Sequence, residues 1–401
     1  MSRAQEQPRA VVVGAGIGGL STAVGLVRIG WRVTVLERAP ELREAGAGIS
    51  LLANALRSLD QLGVGEVVRS RSATMMPGGE GVRIPSGRRL MKPADPEFVR
   101  DHGLSVTVLP RPELHRALRE ALPPGCVRTG AEVTGIAQLP EGGAVLSYRD
   151  ADSAAERTVR ADVVVAADGK NSRSRRSLFP DAPEPVYSGH SVWRGIAEVS
   201  RAEEPGGTTW GNGLEFGRMP LVDGRGYWYA VTNAEAGTRR GDDHAEVLRR
   251  FGSWHAPIPE LLRATPPEAV LYHDVFEFAE PLPSYVASST ALLGDAAHAM
   301  TTDLGQGACQ AIEDAVVLCA ALAVEKDVSA ALASYDEQRR PRTRMIIEAS
   351  RRIGRLKLRE GKLGVLVRNA IMAATPPRAG ERAMARIGDW YPPTLPGRVP
   401  A

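Results

Sequence analysis

Residues 10–19 read Ala10-Val-Val-Val13-Gly14-Ala-Gly16-Ile-Gly18-Gly19, and residues 32–37 read Arg32-Val-Thr-Val-Leu-Glu37. An apolar run that ends in a glycine cluster is the pattern of a buried parallel strand followed by a tight turn. From about Gly16 to Ile29 the residues are mostly small and apolar, and Gly30 closes the stretch, which predicts a helix. The run Val33 to Glu37 predicts the next strand. Strand, glycine turn, helix and strand make a β-α-β unit, so the chain opens on a doubly wound sheet.

Within that unit Gly14, Gly16 and Gly19 fit G-x-G-x-x-G. Gly14 allows the tight turn, Gly16 lets the backbone approach a pyrophosphate, and Gly19 lets helix and strand pack closely. The free N–H groups and the dipole at the helix start favour a phosphate. Glu37 ends the second strand, where a carboxylate accepts hydrogen bonds from ribose hydroxyls and repels a 2′-phosphate. FAD or NAD fits this slot.

The 401 residues suggest about two domains. Hydrophobic residues at 43% and charged residues at 24% are ordinary for a globular protein. A net charge of +3 is too small to argue for nucleic acid. Cys126, Cys309 and Cys319 cannot make a disulfide framework, so the reducing cytoplasm is the expected location. The N-terminus lacks the apolar core of a secretory signal, and no apolar run reaches the ~18 residues of a membrane span. No Cys/His cluster has metal-ligand spacing, so no metal is expected.

Helices are expected near Ala53–Leu62 and from Pro112 to about Leu122, with an irregular stretch containing Pro77, Gly78, Gly79 and Gly81 between them. Short β segments fill roughly 126–165. From about 183 to 285 the pattern turns to alternating strands (Val192–Val199, Tyr227–Val231, Val270–Phe278) with many Pro and Gly turns. Ala291–Leu293 is an apolar strand returning to the first sheet, and the remainder reads as helical up to Pro376.

Two further motifs follow. Asp168-Gly169-Lys-Asn-Ser172-Arg173-Ser-Arg175 comes after the apolar strand 163–167. Gly294-Asp295-Ala-Ala-His298 is followed by Leu304-Gly305-Gln306-Gly307 and by Glu313-Asp314-Ala315. With the N-terminal fingerprint, this trio resembles the para-hydroxybenzoate hydroxylase family of single-component flavoprotein monooxygenases, over about residues 10–375. The resemblance implies an α/β fold: a Rossmann-like FAD-binding domain (1–72, 101–182 and 286–375), an interleaved β-sheet substrate domain (73–100 and 183–285) and C-terminal helices, with 376–401 as a tail.

The resemblance further implies non-covalent FAD, with NADH or NADPH as co-substrate. Glu37 would hold the adenosine ribose and Asp295 the ribityl chain, with Arg38 beside Glu37 also binding the cofactor. Arg111, in Leu109-Pro-Arg111-Pro-Glu-Leu-His115, would contact the flavin side. Asp168 and Gly169 would lie near the pyrophosphate and the NAD(P)H approach, with Arg175 bracing that loop. Gly307 and Ala308 would begin a helix whose N–H groups face the flavin N1–C2=O edge and stabilise negative charge there. In this family NAD(P)H reduces the flavin, O2 forms a C4a-hydroperoxide, and its terminal oxygen hydroxylates or epoxidises an electron-rich carbon. One departure stands out: Thr302 occupies a position where the family usually has Pro. It restores a backbone N–H and loosens φ beside the flavin.

On the substrate side, Trp210, Leu214, Phe216, Tyr227 and Tyr229 are candidate pocket residues for a small aromatic or polyketide-like molecule, and Tyr227 leads them. Tyr227, His190 and His273 are the candidate catalytic groups, histidine because it titrates near neutral pH. His298 reads as structural, and Cys309 and Cys319 as core. Eleven Lys or Arg against two Glu between Arg339 and Arg368 read as a solvated helix face rather than a site for an anionic partner or membrane surface. A monomer or homodimer is expected. Rival readings are a non-catalytic flavin-binding redox protein, a flavin oxidase and a flavin halogenase. The last would carry Trp-x-Trp-x-Ile-Pro, which is absent.

Overall fold

A computed structural model describes residues 7–42, 46–77, 79–151, 153–199, 205–238 and 241–397; Gly78 lies outside them. The strand Arg9–Val13 is central in a six-stranded sheet. Beside it run Arg32–Leu36 and Val127–Arg128 on one side, and Val163–Ala166 and Thr290–Leu292 on the other, all parallel. Val286–Ala287 closes the edge antiparallel.

The two-residue period of a strand divides its side chains between two layers. Ala10 and Val12 face a helical layer built by Ile17–Arg28 and Gly307–Val324. Val11 and Val13 face a three-stranded meander, Ala131–Gln138, Ala144–Asp150 and Ser153–Ala161, through Leu146 and Tyr148. A strand covered on both faces must be apolar at every position, and so the run is unbroken.

The helix Gly307–Val324 is long and apolar enough by composition to cross a membrane, but 72% of it is buried inside the fold. Glu313 and Asp314 are wholly buried within it. It is the core helix, packed on Ile17–Arg28, where Gly25 leaves room for the Cys319 thiol. Cys126, Cys309 and Cys319 are free and buried.

The second large element is a seven-stranded sheet in the order Leu271–Glu277, Val186–Ala197, Gly226–Asn233, Leu214–Pro220, Gly207–Trp210, Val82–Arg83, Arg89–Met91. The first three strands in this order are those expected from the alternating stretch. A small sheet of Gly48–Leu51, Val106–Pro110 and Ala73–Met75 stands between the two large ones; the last of these strands joins it rather than the seven-stranded sheet.

The end of the chain corrects the expectation of a tail. Helices Val328–Lys357 and Lys362–Ala374 are followed by a further helix, Pro377–Gly388. Leu395 is buried in the main core, and Trp390 packs against it.

Candidate functional site

The glycine turn has the geometry a pyrophosphate requires. Gly14 adopts φ +98°, and a Cβ there would lie 2.6 Å from the Ala167 carbonyl. A Cβ at Gly19 would meet the Gly14 carbonyl at 2.0 Å, so only glycine allows helix and strand this close. At Gly16 nothing lies within 4 Å of the added Cβ. Gly16 caps the helix with no side-chain bond, and no acidic residue sits in the first turn. Open space in front of uncapped N–H groups fits a bound phosphate.

Glu37 bridges the turn. Its two carboxylate oxygens accept from Ala15 N at 2.8 Å and Ala39 N at 2.9 Å. Arg38 beside it is exposed. Ala15, Gly16, Glu37, Ala39, Arg111 and His115 line a cleft of about 230 Å3. The resemblance implies no role for His115 of the arginine motif. It sits one helical turn after Arg111, so the spacing already put both on one face. Its Nε2 is 2.8 Å from the Ala15 carbonyl, which fixes the proton on that nitrogen. Burial lowers its pKa, the bond to Ala15 opposes this, and Arg111 adds to the lowering.

Arg111 opens the helix Arg111–Glu120. Burial pushes its guanidinium pKa down; Asp295 opposes this and Arg194 adds to it. Asp295 is exposed although Gly294 and Ala296 on either side are buried. A carboxylate aimed out of an otherwise buried turn, with the exposed Arg111 guanidinium near it, suits a polar ligand. Asp168 is differently placed: it accepts from Ser172 Oγ at 2.5 Å and Ser174 N at 3.1 Å. Its carboxylate is used to shape its own loop. Arg175, 1% exposed, braces the same loop through Glu184 and the Lys170 and Ala296 carbonyls.

A second uncapped helix start lies at Gly307–Ala308. Gln306 supplies no side-chain cap, the first turn has no acidic residue, and nothing lies within 4 Å of a Cβ at Gly307. A buried polar network fixes its position. Asp314 accepts from Gly294 N at 3.0 Å, from Arg339 Nε at 2.6 Å, and lies 2.5 Å from His298 Nε2. Burial alone would raise its pKa; His298 and Arg339 bring it down to about 2. Glu313 accepts from Asn54, Gln310, Arg339 and Arg342. The motifs around Asp295 and Gly307 are thus cross-braced by one helix. This corrects the solvated reading of the basic stretch: Arg339 is 1% exposed and Arg368 2%, and Arg351 pairs with Glu277.

Register sorts the substrate-side candidates. Ile196 pairs with Tyr227, Arg194 with Tyr229, Val192 with Val231 and His190 with Asn233. On the next strand Met219, Gly217 and Glu215 face Tyr227, Tyr229 and Val231. All these side chains share one face. Burial raises the Tyr227 pKa, and the nearby Arg194 guanidinium opposes it. The Tyr227 ring lies over Gly48, and the Tyr229 ring over Gly217, where no Cβ would fit. The two rings are 6.5 Å apart. Burial raises the Tyr229 pKa, and nearby Glu215 raises it further.

Leu214 and Phe216 point the other way, into a core with Trp228, Phe251 and Trp254. Strand alternation decides this: they occupy the positions flanking Glu215. Trp210 is covered by Leu90 and Met372 under the C-terminal helices. The structure therefore brings Tyr227 and Tyr229 together and sets Trp210, Leu214 and Phe216 apart from them.

The sequence reading missed the charged part of this face. Lys357 donates to Glu215 and to the Asp303 carbonyl at 2.9 Å. His190, 6% exposed, has Nδ1 3.1 Å from Ser188 Oγ and Nε2 3.9 Å from Asp303 Oδ2. Its pKa is lowered by burial, against the opposing pull of Asp303. His273 is exposed, and its pKa is lowered by burial, then by Arg194, Lys170 and Arg111. No sequence signal joins residues 190, 215, 303 and 357, which come from four separate segments. Among the described residues no cluster of His, Cys, Asp and Glu could hold a metal ion.

Comparison with known proteins agrees with this geometry. A family model described as FAD binding domain matches residues 8–204 and 284–350. The chain is 36% identical over 365 residues to an aurachin C monooxygenase/isomerase of Stigmatella aurantiaca, covering 90% of this chain and 93% of that one. It is 35% identical to a 3-hydroxybenzoate 6-hydroxylase of Klebsiella oxytoca, covering 87% and 88%. A crystal structure of a Klebsiella pneumoniae protein complexed with FAD and uric acid superposes with a TM-score of 0.87 at 28% identity, covering 96% and 97%. The chain belongs to the FAD-dependent aromatic monooxygenases of the para-hydroxybenzoate hydroxylase-like family.

Proposed function

We propose that this monooxygenase hydroxylates a small planar aromatic molecule carrying an ionisable hydroxyl or enol, bound against the face that holds Arg194, Tyr227 and Tyr229. The observation that carries the reading is the placing of the Arg194 guanidinium with Tyr227, whose pKa it pulls down against burial, on the one face of the sheet that also gathers His190 and Glu215. A phenol polarised by a guanidinium is a stronger donor to an anionic ring oxygen, and an electron-rich ring is the partner that electrophilic oxygen needs. The relatives named for urate and 3-hydroxybenzoate act on molecules with such groups.

Bound FAD supplies the hydride and oxygen chemistry that no side chain can. Gly14, Gly16 and the start of the helix Ile17–Arg28 would hold its pyrophosphate, Glu37 its adenosine ribose, Asp295 its ribityl chain, and Arg111 its flavin side. The N–H groups at Gly307 and Ala308 would stabilise negative charge on the ring system. Asp168 shapes the neighbouring loop. The domain division 1–72, 101–182 and 286–375 against 73–100 and 183–285 belongs to the same reading.

The base is best assigned to His190. It is buried with a lowered pKa, which keeps it neutral and able to accept a proton at neutral pH. His273 sits exposed among three cations and is poorly placed for this. The two buried tyrosine rings and the small sheet across from them exclude water from the face.

The test is a screen of phenols, hydroxylated heteroaromatics, quinolones, indoles and aromatic polyketides for stimulated NAD(P)H oxidation, with product mass and H2O2 measured together. A substrate gains one oxygen atom in proportion to NAD(P)H consumed. Stimulated oxidation that yields only H2O2 across the whole screen would indicate an oxidase-like or sensing role.

A further inference from the structure

The helix Lys362–Ala374 does not follow the rule for a surface helix. Its inner face is made by Arg368 and Met372: Arg368 donates to the Gly211 and Lys357 carbonyls, and Met372 packs with Trp210. The outer face should then be polar. Instead Leu363 is 73% exposed, Leu366 66%, Val367 50% and Ile371 54%. These positions follow i, i+3, i+4, i+8, and Ala370 and Ala374 complete the same stripe. A contiguous apolar stripe on an otherwise soluble fold marks an interaction site.

Its surroundings are basic. Arg352, Arg355 and Arg359 are exposed at the end of the preceding helix, Lys362 opens the stripe, and Arg378 and Arg382 are exposed on the helix that follows. The Arg359 side chain lies directly along this helix, 3.2 Å from a Cβ built at Gly364. Arg352, Arg355, Lys362, Arg378 and Arg382 form no ion pair among the described residues. Between residues 352 and 386 Glu360 is the one exposed carboxylate.

We propose that this face docks the enzyme on an anionic lipid bilayer, with the apolar stripe set into the headgroup boundary and the arginines and lysine against lipid phosphates. An apolar face with a basic flank is the pattern of a helix lying in the membrane interface. Charge decides against a second copy of the chain as the occupant. A two-fold contact through this stripe would set basic flank against basic flank, whereas anionic lipid neutralises it. The helix is about 20 Å long and lies along the surface; it does not span.

The test uses the full-length, FAD-loaded protein and sedimentation with vesicles of phosphatidylcholine alone or mixed with phosphatidylglycerol. The protein binds the mixed vesicles and is released by salt. The pair Leu363→Gln and Leu366→Gln lowers binding at least about tenfold. The pair Arg359→Glu and Lys362→Glu lowers it at least about tenfold as well, each basic residue near the surface being worth about fivefold. Flavin content and melting temperature serve as fold controls. If the glutamine pair loses flavin, the charge-reversed pair decides. No binding to mixed vesicles at low salt overturns the proposal, as does equal binding by both variants. Sedimentation velocity checks the remaining occupant: a concentration-dependent dimer that the glutamine pair abolishes assigns the stripe to a second copy and overturns the proposal.

Discussion

Lys357 holds its ammonium 3.0 Å from Glu215 Oε1, joining the end of a 30-residue helix to the buried face of the seven-stranded sheet. Both groups are nearly inaccessible, at 9% and 1% of their side-chain surface. Burial raises the Glu215 pKa, and Lys357 opposes that. Lys357→Met should leave Glu215 unpaired and cost about 3–5 kcal/mol. The double variant Lys357→Met with Glu215→Gln should recover most of that loss. Thermal melts of the two single variants and the double one form the cycle, and additive losses would mean that the pair is not coupled. A raised carboxyl pKa contributes stability below the ordinary carboxylate range and loses it as pH rises through the folded value. The Lys357→Met protein should therefore gain relative stability on acidification.

Asp314 gives the opposite sign. Its pKa falls from 3.8 to about 2, a depression worth about 2 kcal/mol. That stability is present above the ordinary aspartate pKa and disappears as pH falls through about 2. Asp314→Asn should lower the melting temperature at neutral pH and release FAD more readily, because Gly294, His298 and Arg339 lose a shared charged acceptor. The gap from the parent protein should narrow as pH drops below the ordinary aspartate value. A gap that does not change with pH would remove the charged form from the account.

Asp295 and Glu37 should separate cofactor binding from architecture. Asp295→Ala removes an exposed carboxylate that no hydrogen bond ties to its turn among the described residues, so FAD affinity should fall roughly ten- to hundredfold with the apoprotein melt unchanged. Glu37→Ala should weaken FAD comparably and also destabilise the apoprotein, since Ala15 N and Ala39 N lose their acceptor. Fluorescence titration and melts of both apoproteins decide. Unchanged affinity in Asp295→Ala would remove it from the proposed ribityl contact.

Tyr227→Phe should keep FAD and the fold, because the ring over Gly48 is retained. Turnover of the true substrate should fall about ten- to a thousandfold, within the range a general acid–base or charge-assisted contact contributes. Steady-state kinetics indistinguishable from the parent would place the hydroxyl outside the site.

Thr302 should tolerate proline. It is the first residue of the short helical turn Thr302–Leu304, a position where proline's φ fits and the N–H has no helical acceptor. Thr302→Pro should keep its melting temperature and release less H2O2 per NAD(P)H oxidised. Equal H2O2 yield at equal stability would show that the threonine does not loosen the site.

The cofactor half of this protein was legible in its sequence because its signals are local. An apolar strand, three glycines and Glu37 lie within 28 residues, and the backbone of that one turn leaves an uncapped helix start facing open space. Gly294-Asp295 and Gly307 are short motifs of the same kind. Hydrophobic period two also located three strands of the seven-stranded sheet. It left open which face of each strand packs into the aromatic core, since Phe216 and Glu215 differ by one position and point to opposite sides. Register against neighbouring strands decided that, and it moved Leu214 and Phe216 into the core. The buried set of His190, Glu215, Asp303 and Lys357 was invisible for a related reason: buried charges are stable only beside partners, and these partners come from four segments that only the folded chain brings together. The basic stretch shows both limits at once. Composition counted eleven cations there; packing alone decided that Arg339 closes a buried network while Arg352, Arg355 and Arg359 remain on the surface beside an apolar helix face.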